Sequence, residues 1–213
     1  MNPPARREVG ADVYNEKLGM WIFLGSEVMF FTALIGSYII LRFGSPEQWS
    51  APGSILNVPV TAVNTFLLIC SSVTMVKAFA AIQDGDQHRL KMYLLATVAI
   101  GASFVGVQIY EYTALIHEGF LPSGYAAGSE LAQHAADGDL PASIAIYGSS
   151  FYTMTGFHGF HVSMGVLCMT FVTWKAFRGK YTKEDHRGVE VIGLYWHFVD
   201  LVWIILFTIV YLV

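Results

Sequence analysis

The sequence predicts an all-α fold, a polytopic membrane helix bundle with five transmembrane helices. Hydrophobic residues make up 54% of its 213 residues and charged residues only 13%, with a mean hydropathy of +0.51. That composition is typical of a membrane protein and excludes an ordinary soluble domain. Five windows are apolar over the ~20 residues that a helix needs to cross a bilayer. In hydrocarbon a helix pairs its own backbone groups, so five such windows indicate five helices and not a barrel.

We interpret residues 1–213 as a single membrane domain. The first span is too long for the apolar core of a signal peptide, and no small-residue cleavage site follows it, so we expect it to remain as a true span. The link at 111–143 is the only long one, and its Gly, Ala, Ser and acidic residues predict a loop with a helical turn near Ser129 to Ala136. The five predicted spans, first to fifth, cover about 18–41, 58–76, 92–110, 144–174 and 189–213.

The basic residues between the spans predict the orientation, because short cytoplasmic loops collect Lys and Arg. Eleven of the 12 lie before the first span, in the second link or in the fourth link, and only Arg42 lies on the other side. The N-terminus, which includes Arg6 and Arg7, is therefore expected in the cytoplasm, and the C-terminus and the 111–143 loop outside. The net charge of -4 has no basic stripe that would indicate a nucleic-acid partner.

Ionisable residues inside the predicted spans suggest a functional site, since such side chains are costly in a membrane and usually face the bundle interior. Glu27 lies roughly 13 Å into the first span. Two histidines of the fourth span flank a ridge of small residues spaced four apart, which favours close helix packing. Three residues of the fifth span share an arc of about 80°. We predict one buried polar cluster: Glu27, His158, His161, Glu190, His197 and Asp200.

Three further polar residues are interpreted as hydrogen-bonding partners between helices. Asn64 shares a face of the second span with two serines and is expected to bond across to another helix. Gln108 and Glu111 are expected to close the third span at its outer end, where an interfacial hydrogen bond is the default role.

The sequence does not favour a metal centre of its own. Such a site needs three or four converging ligands, with a partner for each imidazole, and the predicted spans hold only three histidines. A haem would have to be held by His158 or His161 together with His197. No internal repeat or pair of broken helices points to a transporter. The cluster therefore either fixes helix packing, or it modulates proton movement or lipid binding in a larger complex. The alternative from a different class is that the protein is a stand-alone membrane metalloenzyme or transporter.

Five motifs, in order, resemble those of subunit III of haem-copper terminal oxidases, especially cytochrome c oxidase: GSEVMFF, VNTFLLICSS, QIYEY, YGSSFYTMTGFHGFHVSMG and YWHFVDLVW. The chain is similar to the short form with five helices, which lacks the first two helices of the longer form and the lipid cleft that they make. The resemblance implies a non-catalytic subunit of an oxidoreductase that translocates protons in aerobic respiratory electron transport. It would carry no cofactor itself, since subunits I and II would hold the haems and copper.

The resemblance also implies roles for particular residues. Glu27 matches the membrane glutamate that carbodiimides modify in the family, and the other five residues of the predicted cluster match its recurrent polar positions. The implied roles are stabilising subunit I and supporting proton uptake from the cytoplasm. The implied location is the inner membrane of a bacterial cell. Arg178, Lys180 and Arg187 are candidates for contact with phospholipid headgroups. The alternative is that their positive charge serves only to set the topology.

Two related branches are alternatives for the electron donor. Quinol oxidases have a similar subunit III, and nitric oxide reductases can have a relative of it. Glutamate at both Glu27 and Glu190, with YWHFVD intact, favours the cytochrome c branch. Membership of a supercomplex with a cytochrome c reductase is left open.

Overall fold

The computed structural model describes residues 9–50 and 53–212, with side-chain surroundings from residue 15 onward. Within this part five helices are long and apolar enough to span a membrane, which confirms the predicted all-α membrane bundle. Arg6 and Arg7, two of the charges used to predict orientation, lie outside the described residues. The helices are α1 (Val9–Gly44), α2 (Val58–Asp84), α3 (Gln87–Glu118), α4 (Glu130–Asp137), α5 (Ala145–Phe177) and α6 (Arg187–Phe207). The short strands are β1 (Phe120–Leu121) and β2 (Gly124–Tyr125).

The third span is longer than predicted. α3 continues to Glu118 and ends where Gly119 takes a left-handed conformation, with φ of 96°. The sequence reasoning ended the span at 110 because polar residues begin there, but Gln108 and Glu111 are held by neighbouring helices, so the helix can continue. The predicted loop at 111–143 is therefore shorter, and it contains an antiparallel β1–β2 hairpin that was not predicted.

Polar caps set the beginnings of several helices. Asp86 accepts hydrogen bonds from the backbone N–H groups of His88 and Arg89, at 3.1 and 3.0 Å, and starts α3. The Arg89 N–H lowers the pKa of the Asp86 carboxyl from its usual value of 3.8. Ser129 caps α4 by accepting from the N–H of Ala132 at 3.2 Å, which agrees with the helical turn expected there.

α6 is central to the bundle and packs against α1, α2 and α5. α2 and α3 form a second contact layer, and α3 also packs on α5. Half of the most apolar window of α6 is buried, against 11% for that of α1. α1 is therefore the most peripheral of the five spanning helices.

The two ends of the bundle differ in character. At one end α1 and α6 begin and the α2–α3 and α5–α6 links lie together, joined by a 3.0 Å hydrogen bond from Gln87 Nε2 to the carbonyl of Tyr181. We call it the basic end, because nine of the ten Lys and Arg residues that the structure describes belong to its segments. The other, the loop end, carries the β-hairpin and α4, where the ring of Phe120 packs against those of Tyr147 and Phe151.

The Trp196 indole is the tightest packing point of the core. It is 1% exposed, and its Nε1 donates to Ser71 Oγ of α2 at 3.0 Å. Gly101 of α3 and Gly165 of α5 lie against the same ring, and a Cβ at Gly101 would come within 2.6 Å of it. α3 and α5 can therefore approach this indole closely only because these two positions have no side chain.

Candidate functional site

Glu27 of α1 and His161 of α5 form a contact inside the bundle. Glu27 Oε2 lies 3.0 Å from His161 Nε2, and their side chains are only 16% and 13% exposed. The ring of Phe31 meets the imidazole edge to face at 5.2 Å. The Tyr195 hydroxyl of α6 donates to the His161 carbonyl at 2.9 Å. The pair thus lies where α1, α5 and α6 meet, in mainly aromatic surroundings.

The hydrogen bonds of His161 determine the number of protons on this pair. His161 Nδ1 lies 2.7 Å from the carbonyl oxygen of Phe157, which can only accept, so Nδ1 carries a proton. The Nε2 contact with Glu27 then needs one further proton, either on the carboxyl group or on Nε2. The first arrangement is a neutral acid with a neutral imidazole, and the second is a carboxylate with an imidazolium. Both have the same total charge, so the proton can move within the pair without a change of net charge.

His158 lies in a different setting from the one that the sequence reasoning expected. It is fully buried, and its imidazole stacks on Trp203 with ring centres 4.7 Å apart. Phe31 and Phe104 meet it edge to face. Neither ring nitrogen has a hydrogen-bond partner in the described part of the chain. The structure therefore places His158 in an aromatic box and not in a polar cluster, because residues three apart on a helix point in directions about 60° apart.

Asp200 of α6 is held by α2. Its Oδ2 accepts from Ser72 Oγ at 2.6 Å, while its Oδ1 is buried without a partner in the described part. Two indoles of α6 bond to the same helix, since Trp196 donates to Ser71 and Trp203 Nε1 donates to Thr65 Oγ1 at 2.9 Å. One line of polar contacts thus joins α6 to α2 between Trp196 and Trp203.

Glu190 and His197 face a groove that Glu27, His158 and His161 do not line. Glu190 Oε1 forms an ion pair of 2.6 Å with Lys17 Nζ of α1, at the basic end. His197 is half-buried in a groove of about 180 Å³ between α2 and α6, which it shares with Glu190, and it makes no hydrogen bond with the described residues. The six residues predicted as one cluster are therefore distributed over several settings, because a shared arc on α6 does not fix which neighbour each residue meets.

The three predicted interhelix residues each meet a neighbouring helix. Asn64 Nδ2 lies 3.4 Å from the Phe104 carbonyl of α3, and Gln108 Nε2 donates to the Thr155 carbonyl of α5 at 3.0 Å. Glu111 accepts a hydrogen bond from Thr61 of α2. Gln108 and Glu111 do not close α3, which continues for two more turns; they join it to α5 and α2.

The predicted lipid contacts differ among themselves. The Arg178 guanidinium lies 3.9 Å from the ring centre of Trp174, and Lys180 is exposed. Arg187 is engaged within the chain, since its guanidinium contacts Asp185 Oδ1 at 2.9 Å and Glu16 Oε1 at 3.5 Å. The same arginine lowers the pKa of Asp185, chiefly through their side-chain hydrogen bond.

Several partners were missed by the sequence reasoning. Lys17 was counted only as an orienting charge, and Thr61 was not singled out. The tryptophans Trp196 and Trp203, seven residues apart, lie on one face of α6, and that spacing was a usable signal because a buried indole N–H usually finds an acceptor. Among the residues that the structure describes, no group of three or more His, Cys, Asp or Glu side chains is arranged to hold a metal ion.

The fold and these polar contacts define a multi-pass helical membrane protein whose intramembrane polar groups mostly join its own helices. A family model described as cytochrome c oxidase subunit III matches residues 11–121 and 132–213. The chain belongs to this family.

Proteins with this family name are similar in sequence to most of the chain. It is 37% identical over 196 residues to cytochrome c oxidase subunit 3 of Thermostichus vulcanus, covering 92% of this chain and 86% of the relative. The subunit 3 of Synechocystis sp. is 36% identical, with 91% and 74% covered. That of Bacillus sp. strain PS3 is 34% identical, with 93% and 86% covered.

Proposed function

We propose that this chain is the non-catalytic subunit III of a proton-pumping cytochrome c oxidase, and that it stabilises subunit I and supports proton uptake. Subunits I and II would hold the haems and copper. The names of the relatives support the cytochrome c branch over a quinol oxidase or a nitric oxide reductase. The charge distribution supports a bacterial inner membrane protein with its N-terminus in the cytoplasm and its C-terminus in the periplasm.

The observation that carries the proton-uptake proposal is the Glu27–His161 contact. A pair that shares one proton and is largely shielded from water can hold it at constant net charge, which avoids the cost of an isolated ion in a membrane. In this proposal the pair acts as a fixed acid beside the catalytic subunit and is not the proton channel itself. Loss of the pair would therefore slow or unbalance proton uptake without stopping oxygen reduction.

A pull-down tests the subunit assignment. The tagged chain, extracted in mild detergent, is expected to bring down a much larger subunit with a reduced-minus-oxidised haem spectrum and cytochrome c oxidase activity. Recovery of the chain alone with an activity of its own would overturn the proposal. Activity on quinol and not on cytochrome c would assign the complex to the other branch.

The role of the pair is tested in the assembled complex. Glu27→Gln should leave the complex intact, since a Gln amide can donate to His161 Nε2, and should lower proton-coupled turnover only modestly. Glu47→Gln, at an exposed carboxyl near the loop end, is the matched control and should leave turnover unchanged. Complete loss of oxygen reduction in a fully assembled Glu27→Gln complex would contradict a supporting role.

A phospholipid at the basic end is a second part of the proposal. Arg178 and Lys180 offer positive charge beside the half-exposed ring of Trp174, which suits an anionic headgroup at a membrane interface. Arg187 is less suited, because Glu16 and Asp185 already neutralise it. Reversing both charges, with Arg178→Glu and Lys180→Glu, is expected to reduce the lipid phosphorus that copurifies with the complex.

A further inference from the structure

One face of α6 and of the turn Thr208–Leu212 that continues it carries only half-buried and exposed residues, and Glu190 at its start is paired with Lys17 of α1. The face consists of half-buried residues in the first half of the helix and exposed residues in the second, with Leu201 57% and Ile204 40% exposed. Their spacing alternates between four and three residues, which is the spacing with which one helix packs along another. From first to last they extend over roughly 27 Å, close to the thickness of a bilayer core. We call this face the α6 seam: Glu190, Leu194, His197, Leu201, Ile204 and Thr208.

The first half of the seam lies in a groove. α1 and α2 each pack on α6, and Met75, Val76 and Phe79 of α2 form one wall beside Glu190, Leu194 and His197. The groove has a volume of about 180 Å³ and is open to the outside of the bundle. It is thus a recess into which side chains of another molecule can extend.

His197 is the polar centre of the seam. It lies ten residues from the start of α6, or about 15 Å along the axis, which is near the middle of a bilayer core. A neutral imidazole has one donor and one acceptor, and His197 uses neither with the described residues. By contrast, exposed hydroxyls on other faces are satisfied by their own helices. Ser103 Oγ donates to the Ile100 carbonyl at 2.7 Å, and Thr170 Oγ1 to the Val166 carbonyl at 2.7 Å.

The depth of His197 distinguishes between two kinds of occupant. Lipid acyl chains have no hydrogen-bonding group at the middle of a bilayer, so a lipid in the groove would leave the imidazole unsatisfied. A transmembrane helix can place a polar side chain at that depth.

We propose that the α6 seam receives a transmembrane helix of another oxidase subunit, whose side chain exchanges a hydrogen bond with His197. This inference rests on the proposed function, because it takes the chain to be part of a multisubunit oxidase. It goes further by assigning the docking face and the residue at its centre. The helix would lie along α6, with part of its surface in the groove between α2 and α6.

Photo-cross-linking in native membranes tests the docking face. A benzoylphenylalanine at position 201 is expected to give an adduct with another subunit, identified by mass spectrometry. The same probe at position 160 on α5, where Phe160 is 61% exposed, is the matched control and should give that adduct in much lower yield. The seam is excluded if position 201 gives only lipid adducts, an adduct with a second copy of this chain, no adduct, or no more adduct than position 160.

Substitution of His197 tests the hydrogen bond. His197→Leu should lower the ratio of complexes that retain this chain in detergent to those that lose it about three- to eighteenfold, as expected for one hydrogen bond between membrane helices. His197→Gln should restore retention, and His88→Leu, at the exposed beginning of α3, should not alter it. Unchanged retention of His197→Leu would overturn the role given to this residue.

These outcomes separate the docking face from the function itself. If the haem-containing subunit copurifies with the wild-type chain but position 201 fails to cross-link, the seam is wrong and the proposed function stands. If no haem-containing subunit copurifies with the wild-type chain, both are wrong.

Discussion

The Glu27–His161 contact predicts an energetic coupling that can be measured. Glu27→Leu would leave Nε2 without a partner, and His161→Leu would leave the carboxyl without one, in surroundings that are only 13 to 16% exposed. A hydrogen bond between membrane helices contributes about 0.6 kcal/mol on average and up to about 1.7. An unsatisfied buried group adds a cost of about 1–3 kcal/mol. Each single substitution should therefore destabilise the chain by about 2 kcal/mol.

The double substitution removes both polar groups and leaves neither unsatisfied. It should cost about as much as one single substitution, which gives a coupling energy of about 2 kcal/mol. The free energies of unfolding of the wild type, both single variants and the double variant, measured in one detergent, complete the cycle. Glu27→Gln is the control and should cost less than about 0.5 kcal/mol, because its amide can donate to Nε2. Single effects that add to within about 0.4 kcal/mol would refute the contact.

Three further predictions concern stability. Gly101→Ala should lower the free energy of unfolding by about 1–3 kcal/mol, because its Cβ would press on Trp196. Gly106→Ala, where a Cβ meets nothing within 4 Å, is the control and should leave that free energy unchanged or raise it by up to about 1 kcal/mol. Denaturation in detergent compares the two variants. His158→Phe should leave the thermal midpoint unchanged or raise it, because the imidazole has no partner to lose, and a clear fall would contradict the aromatic box. Asp86→Ala should lower the thermal midpoint at neutral pH. Because folding lowers the pKa of Asp86, the higher midpoint of the wild type should disappear as the pH falls through that pKa. A constant difference in midpoint down to pH 2 would argue against the cap.

The helical architecture was largely predictable, because an apolar segment of about 20 residues that crosses a membrane must pair its own backbone groups, and an α-helix does so. The beginnings of α2 and α5 lie within one residue of prediction. The end of α3 was placed too early because polar residues in a sequence indicate the end of a span when their partners in the bundle are unknown. Glu111 is compatible with a longer helix only because Thr61, 50 residues earlier, donates to it.

The individual polar contacts were less predictable than the list of polar residues. Helical periodicity gives the direction of a side chain around its own helix but not the neighbour that it meets. His158 and His161 lie one turn apart, yet one stacks on Trp203 and the other meets Glu27. Likewise Glu190 pairs with Lys17, which no periodicity argument connects, since the contact depends on how α1 crosses α6.

The way in which α1 is attached connects packing with the proposed proton role. Only 11% of its most apolar window is buried, and in a membrane apolar contacts give little preference for protein over lipid. Its position must therefore depend strongly on polar contacts, and the described residues provide them at two depths. Lys17 pairs with Glu190 and Glu16 with Arg187 at the basic end, and Glu27 meets His161 deeper in the bundle.

Packing alone would be served by any well-matched hydrogen bond, so a role limited to packing predicts that Glu27→Gln changes neither stability nor turnover. A proton role predicts that stability is kept while turnover falls, because a Gln amide can replace the hydrogen bond but cannot give up a proton. The unfolding cycle and the turnover of the assembled complex therefore measure two different properties of one contact. Only a difference between them assigns the pair a part in proton uptake.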